Sequence, residues 1–141
     1  MLIPGTNIRV DNFELHASDI RYFIYFLTHF HSGNLVLIPD HLRGLHHSWN
    51  GGTIYTSEMT RRLIVTKYPD LEERVVSLEL NQPHWVSTSK NGHEGVTVHL
   101  MDANHCPGSV MILIYTGKET ILHTGDVRFN EKFLKYRELF P

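Results

Sequence analysis

A run of metal-type donors, broken by an insertion, sets the tightest limit on how this chain can fold. His29-Phe30-His31-Ser32 is followed by Asp40-His41, with the seven residues Gly33 to Pro39 between them. Closing that gap gives Thr-His-Phe-His-Ser-Asp-His-Leu-Arg-Gly-Leu, which has a His-x-His-x-Asp-His spacing. On an extended segment residues i and i+2 face the same side, so His29 and His31 can reach one ion. A fold that uses them must end a strand at His29 and bring further donors to the same mouth.

Histidine is also the outlier of the composition, at 11 of 141 residues. It is the commonest metal ligand and the usual proton carrier near neutral pH. Cys106 is the single cysteine, which excludes a disulfide framework and a Cys-rich zinc finger and fits a reducing compartment. The length suits one domain, and a hydrophobic fraction of 41% suffices for a core. Formal charge is −2, so no global basic field announces a nucleic acid. Such a partner would have to meet its positive charge from bound metal or from sequence outside this chain. The N-terminal Met1-Leu2-Ile3-Pro4-Gly5 has neither a charged n-region nor a long apolar run, and Tyr22 to Leu27 is too short to span a bilayer.

Local patterning predicts short strands at Ile8 to Val10, Arg21 to Leu27, Thr53 to Tyr55 and Val75 to Leu80. A helix is expected over Ser57 to Lys67, capped by Thr56 or Ser57 and closed by Pro69. Val96 to Met101 alternates as a strand, and Val110 to Tyr115 and Thr120 to Thr124 form a hairpin around Gly117-Lys118. Asn91-Gly92 reads as a turn. Asn130 to Phe140 reads as a closing helix with Asn130 as its cap. The order of strands, helix, then strands predicts an α+β or layered α/β/α arrangement. Strand ends lead directly to Asp11, His29 and His105, and a fourth leads to Gly125-Asp126. Such mouths are where a site is built.

His29, His31 and His105 can supply three nitrogens to one ion and leave a fourth position open, as in a catalytic zinc site. Asp40 and His41 can serve a second ion, and Asp126 can bridge both. Two ions about 3.5–4 Å apart activate water and clamp the leaving oxygen of a phosphate ester. Asp11 is expected just behind the ligands, accepting a ring N–H and fixing a tautomer. His16, His46, His47, His84, His93 and His99 lack such a setting and read as surface or packing residues. His123, inside the strand before Asp126, reads as structural. Cys106-Pro107-Gly108 reads as a tight turn behind His105 rather than a nucleophile, since no base is evident beside it. Arg61-Arg62 reads as a solvated helix face.

Four stretches together resemble the DNA cross-link repair nucleases of the metallo-β-lactamase superfamily. They are Ile3-Pro4-Gly5-Thr6 with Val10-Asp11, Phe26 to Ser32, Met101 to Met111 and Ile121 to Arg128. The run Asp102-Ala103-Asn104-His105-Cys106-Pro107-Gly108 is the most specific of them. The resemblance implies a layered αββα metallo-β-lactamase fold and a zinc-dependent 5′-to-3′ DNA exonuclease holding one or two ions. It implies metal ligands at His29, His31, Asp40, His41, His105 and Asp126, with Asp11 as the aspartate of the first motif. Asp40 would orient or deprotonate the attacking water. It further implies DNA as partner, nuclear work in interstrand cross-link repair and, for one branch of the family, a telomeric role beside a shelterin protein, with no membrane.

Two departures from the family pattern shape the expectation. Gly33 to Pro39 separates donors that follow at once in the family, and seven extended residues span roughly 23 Å. The loop can bulge out and return, because closure costs little more as length grows. Four of the seven are Leu, Val, Leu and Ile, an unusual content for a solvated bulge. The family also continues past the equivalent of Pro141 into a last metal histidine and a β-CASP domain, so residues 1–141 read as the N-terminal part of the hydrolase domain, a fragment or short isoform. Two other readings stand beside the nuclease. One is a different hydrolase on the same scaffold, acting on RNA or a small molecule. The other is a non-catalytic truncated product.

Overall fold

The structure, a computed structural model, describes residues 1–15, 23–31 and 40–136, and Asp40 through its backbone alone. Two four-stranded sheets carry the chain. The first is wholly parallel, in the order β1 (Ile8–Val10), β2 (Ile24–Phe26), β3 (Ile54–Thr56), β4 (Val75–Ser77). The second is an antiparallel meander of β5 (Pro83–Ser87), β6 (Gly95–Asp102), β7 (Val110–Tyr115) and β8 (Thr120–His123).

Side-chain alternation decides how the sheets stack. Ile8, Val10, Ile24 and Phe26 from the first sheet meet Val96, Val98, Leu100, Val110, Ile112 and Ile114 from the second in one buried cluster. Tyr25 points the other way, into a cluster with Phe13, Trp49, Ile54 and Ile64. Thus all three residues of β2 are buried, as a parallel strand covered on both faces requires. Met101, Met111 and Leu113 leave the second sheet on its far side and pack with Phe133. The resulting layers are helix, sheet, sheet, and a thin cover, which is an α+β arrangement compatible with part of a metallo-β-lactamase-like fold.

The one α-helix among the described residues, α1 (Glu58–Lys67), begins where the cap chemistry predicts. The Ser57 hydroxyl accepts from the Thr60 N–H at 3.2 Å, and Tyr68 and Pro69 end the helix. Its buried residues are Thr60 and Ile64, so a narrow stripe docks it on the first sheet. The Gly117 turn, with φ +81°, joins β7 to β8 as expected.

Two elements differ from expectation. Strand β5 is absent from the sequence reading, where Asn81-Gln82-Pro83 bounds the strand before it; its Trp85 is exposed. It forms at the sheet edge, where a missing N–H costs nothing in the ladder. Within the expected closing helix, the described residues form a 3-10 helix, Glu131–Lys135, with the Asn130 side chain accepting from the Lys132 N–H. Only Phe133 of that segment is buried, and one anchor supports a single tight turn better than a longer amphipathic helix. Residues 137–140 of that helix, Arg21, Tyr22, His16 and the insertion 33–39 lie outside the described residues. Among the described residues no helix is long and apolar enough to cross a membrane.

Leu100 is fully buried between the sheets, whereas Leu122 is 39% exposed on the edge strand β8. Leu100→Ala should lower unfolding free energy by about 2–5 kcal/mol, and Leu122→Ala by well under that. Urea unfolding of the two variants against the parent checks the ranking.

Candidate metal centre

Four strand ends converge at one end of the sandwich. Three of their loops turn through left-handed backbone, at Asp11 (φ 52°), Asn104 (φ 53°) and Gly125 (φ 52°). Asp and Asn tolerate that region better than other side chains. Each turn reverses the chain directly beside a donor: Asp11 itself, His105 after Asn104, and Asp126 after Gly125.

Ligand nitrogens of His29, His31 and His105 lie within 4.8 Å of one another. His29 and His31 follow β2 two residues apart, and His105 follows β6, as their spacing predicts. The Nε2 atoms of His29 and His105 are buried with no hydrogen-bond partner. A buried acceptor left unpaired costs free energy, so these two nitrogens suit a ligand that takes a lone pair. Asp126 stands across from them, with Oδ2 3.6 Å from His29 Nε2 and 3.7 Å from His105 Nε2. Its side chain is 63% exposed.

His41 also reaches the cluster, despite the insertion that precedes it. Its ring stacks on His29 with centroids 3.9 Å apart, and the His31 backbone N–H donates to its Nε2 at 3.4 Å. The ring is set by the 3-10 helix Asp40–Leu42, whose Leu42 is buried in the core under α1. The side chain of Asp40 lies outside what the structure describes.

Asp11 sits behind the cluster by a route the spacing did not reveal. It accepts the Thr28 N–H at Oδ1 and the Thr28 hydroxyl at Oδ2, each at 2.8 Å. Thr28 Oγ1 is in turn 2.9 Å from His29 Nδ1. The expected direct bond from a ligand ring to Asp11 is therefore replaced by one that passes through threonine. His123 Nε2, buried and without a hydrogen bond, lies 3.5 Å from Asp11 Oδ2. Both Thr28 and His123 lie outside the residues singled out from sequence as functional. A polar β-branched residue closing the apolar run Phe23 to Leu27 was the signal for the first.

The His105 loop is braced by hydroxyls. Ser109 Oγ accepts from the N–H groups of His105 and Cys106, both at 3.1 Å. The Ser57 and Thr60 hydroxyls donate to Gly108 O at 2.6 and 3.0 Å, tying the loop to the start of α1. Ser109 N–H closes the expected tight turn on Cys106 O. Burial, and then the nearby Asp126, push the Cys106 thiol pKa up, away from a nucleophilic thiolate. A cavity of about 600 Å³ opens beside this loop, bordered by Ser57, Glu58, Asp102, His105 and Cys106. Arg61 donates to Val75 O at 3.1 Å and Arg62 to Glu58 at 2.8 Å, so both serve the helix and its neighbour strand.

Burial, together with the neighbouring His41, lowers the His29 pKa to about 4. Burial is also the leading cause that lowers His41. Neutral rings with free nitrogens are the form that binds a metal ion. The site thus defines an α+β protein built to gather imidazoles and a carboxylate at the mouths of two sheets.

No family model matches this chain. It is 36% identical over 134 residues to "5' exonuclease Apollo" of Danio rerio, covering 95% of this chain and 22% of that protein. It is 41% identical over 108 residues to "DNA cross-link repair protein pso2/snm1" of Schizosaccharomyces pombe, covering 74% and 17%. It is 42% identical over 127 residues to "DNA cross-link repair 1A protein" of Homo sapiens, covering 89% and 11%. The chain belongs to the DNA cross-link repair nuclease family, and it spans 11–22% of the length of these relatives.

Two measurements follow from this geometry. Between pH 6.5 and about 4 the unfolded His29 binds a proton that the folded ring does not, so stability of the metal-free protein must rise with pH across that window. The melting temperature should fall on acidification through it, and His29→Gln should flatten the slope. At Gly108, with φ +84°, a Cβ would come within 2.8 Å of Thr60 Oγ1 and 2.9 Å of Met59 Cβ. Gly108→Ala should therefore shift the His105 loop, read as changed ring resonances of His105 in NMR spectra.

Proposed function

We propose that this chain carries the metal-binding core of a zinc-dependent DNA nuclease on a metallo-β-lactamase fold, acting as a 5′-to-3′ exonuclease in interstrand cross-link repair. One observation carries the reading: two buried, unpartnered imidazole nitrogens and a third histidine meet at strand ends, in a chain related to cross-link repair nucleases. His29, His31 and His105 would hold one ion. His41 and Asp40 would serve a second, with Asp126 between them. When bound, zinc supplies Lewis acidity toward the scissile phosphate and toward water.

The protein's own groups supply the remainder. Neutral His29 and His41 keep their lone pairs available at neutral pH. Asp40 is assigned as acceptor of the proton from the attacking water. Asp11 orients the first ligand from behind through its bonds to Thr28. The names of the relatives support DNA as substrate and work in the nucleus. The family resemblance implies a further role at telomeric ends beside a shelterin partner, and we include it in the proposal.

The test measures zinc per molecule by mass spectrometry and hydrolysis of 5′-phosphorylated DNA, RNA and a β-lactam side by side. The expected result is one to two zincs, loss of zinc in His29→Ala/His31→Ala, and cleavage of DNA that a chelator abolishes. Asp40→Asn should retain the zinc held by His29, His31 and His105 while lowering kcat by about 10²–10⁴-fold. Deleting residues 33–39 should leave zinc content unchanged, because His41 already stands against His29. Cleavage of RNA or lactam alone would favour another hydrolase on this scaffold. Zinc without any hydrolysis would favour a non-catalytic product.

A further inference from the structure

Thr28 touches three of the converging strand ends, those of β1, β2 and β8, and also the start of β7. Its N–H and hydroxyl bind Asp11 after β1, its hydroxyl meets His29 after β2, and its carbonyl accepts the Val110 N–H at 2.8 Å at the start of β7. Its side chain also lies against Gly125 after β8. A Cβ on that glycine would come within 3.1 Å of Thr28 Cβ, Cγ2 and Oγ1. Thr28 is 1% exposed and His29 2%, so water does not substitute for these partners.

Proton inventory then fixes directions. A carboxylate only accepts, so the single Thr28 hydroxyl hydrogen goes to Asp11 Oδ2. Thr28 Oγ1 can therefore meet His29 Nδ1 only as an acceptor, which requires the hydrogen to sit on Nδ1. A neutral imidazole protonated at Nδ1 has its lone pair on Nε2, and that is the buried nitrogen left without a partner.

We propose that Thr28 is a positioning residue, whose hydroxyl relays the Asp11 carboxylate to His29 and locks that ring with Nε2 free for a metal ion. The relay makes threonine a better choice than serine at this position. Contact with Gly125 holds the β-branched side chain in one rotamer, whereas a serine hydroxyl can turn away. This proposal deepens the metal-centre reading above and rests on it only for its consequence on affinity.

The test uses the whole protein, first without metal. Long-range ¹H–¹⁵N correlation of the His29 ring should show the hydrogen on Nδ1, and a ring protonated at Nε2 overturns the proposal. Zinc affinity, measured by competition with a chromophoric chelator, should weaken about 10–100-fold in Thr28→Val, which keeps the shape and removes the hydroxyl. Thr28→Ser, which keeps a hydroxyl that can turn away, should fall between the parent and Thr28→Val. Equal affinity in parent and Thr28→Val, with an unchanged tautomer, would also overturn it. If Thr28→Val does not fold, the parent tautomer and the Thr28→Ser affinity still decide. If the parent takes up no zinc, the metal-centre reading fails, and the tautomer in metal-free protein still decides the relay.

Discussion

The histidine-bearing end of this protein depends on the hydrogen bonds of one buried threonine. A parallel sheet and an antiparallel sheet have no shared ladder, so their ends need another device to stay in register. Thr28 supplies it, donating twice to Asp11 and accepting from Val110, with Gly125 packed on its side chain. Each polar atom of the residue is satisfied, which is the condition for placing it at 1% exposure among apolar strands. An apolar residue here would leave the half-buried Asp11 with one partner fewer, and a larger one would collide with the Gly125 turn.

Around this junction the protein collects imidazoles without collecting charge. His29 and His41 are stacked at 3.9 Å, a distance that two protonated rings would not accept inside a protein. Burial is the first cause of the lowered pKa at both, and His41 adds to the lowering at His29. Asp11 and Asp126 pull in the opposite direction, and at His29 desolvation wins. The unpartnered nitrogens are a local cost in the metal-free protein, held in place by the surrounding packing. That is the behaviour expected of a site whose geometry is prepared before its ligand arrives.

Much of this was legible in the sequence because it depends on short-range patterns. The alternation in Val96 to Met101 and the apolar run Val110 to Tyr115 marked two strands, and Ser57 with Pro69 marked the limits of α1. The strand-end positions of Asp11, His29, His105 and Asp126 were readable for the same reason. Other features depend on three-dimensional neighbours. Strand β5 exists because β6 offers it an edge, not because Pro83-His84-Trp85 favours a strand. The threonine relay was hidden because a lone Thr after an apolar run has no motif of its own. His41 reaches His29 through the burial of Leu42, which spacing across a seven-residue insertion does not reveal.

The three clustered histidines come from different layers, and this has an energetic consequence. His29 and His31 leave the parallel sheet, while His105 leaves the antiparallel one. The His105 loop is anchored through Gly108 to Ser57 and Thr60 at the start of α1, on the far side of the first sheet. An ion shared by the three rings would therefore cross-link both sheets, and through Gly108 it would also couple to the helix. Since the unfolded chain lacks such a preformed set, binding free energy adds to folding free energy. The added stability should spread over the whole sandwich rather than stay at its mouth, because the inter-sheet core of Val98, Leu100, Ile112 and Ile114 cannot separate while the rings are held together.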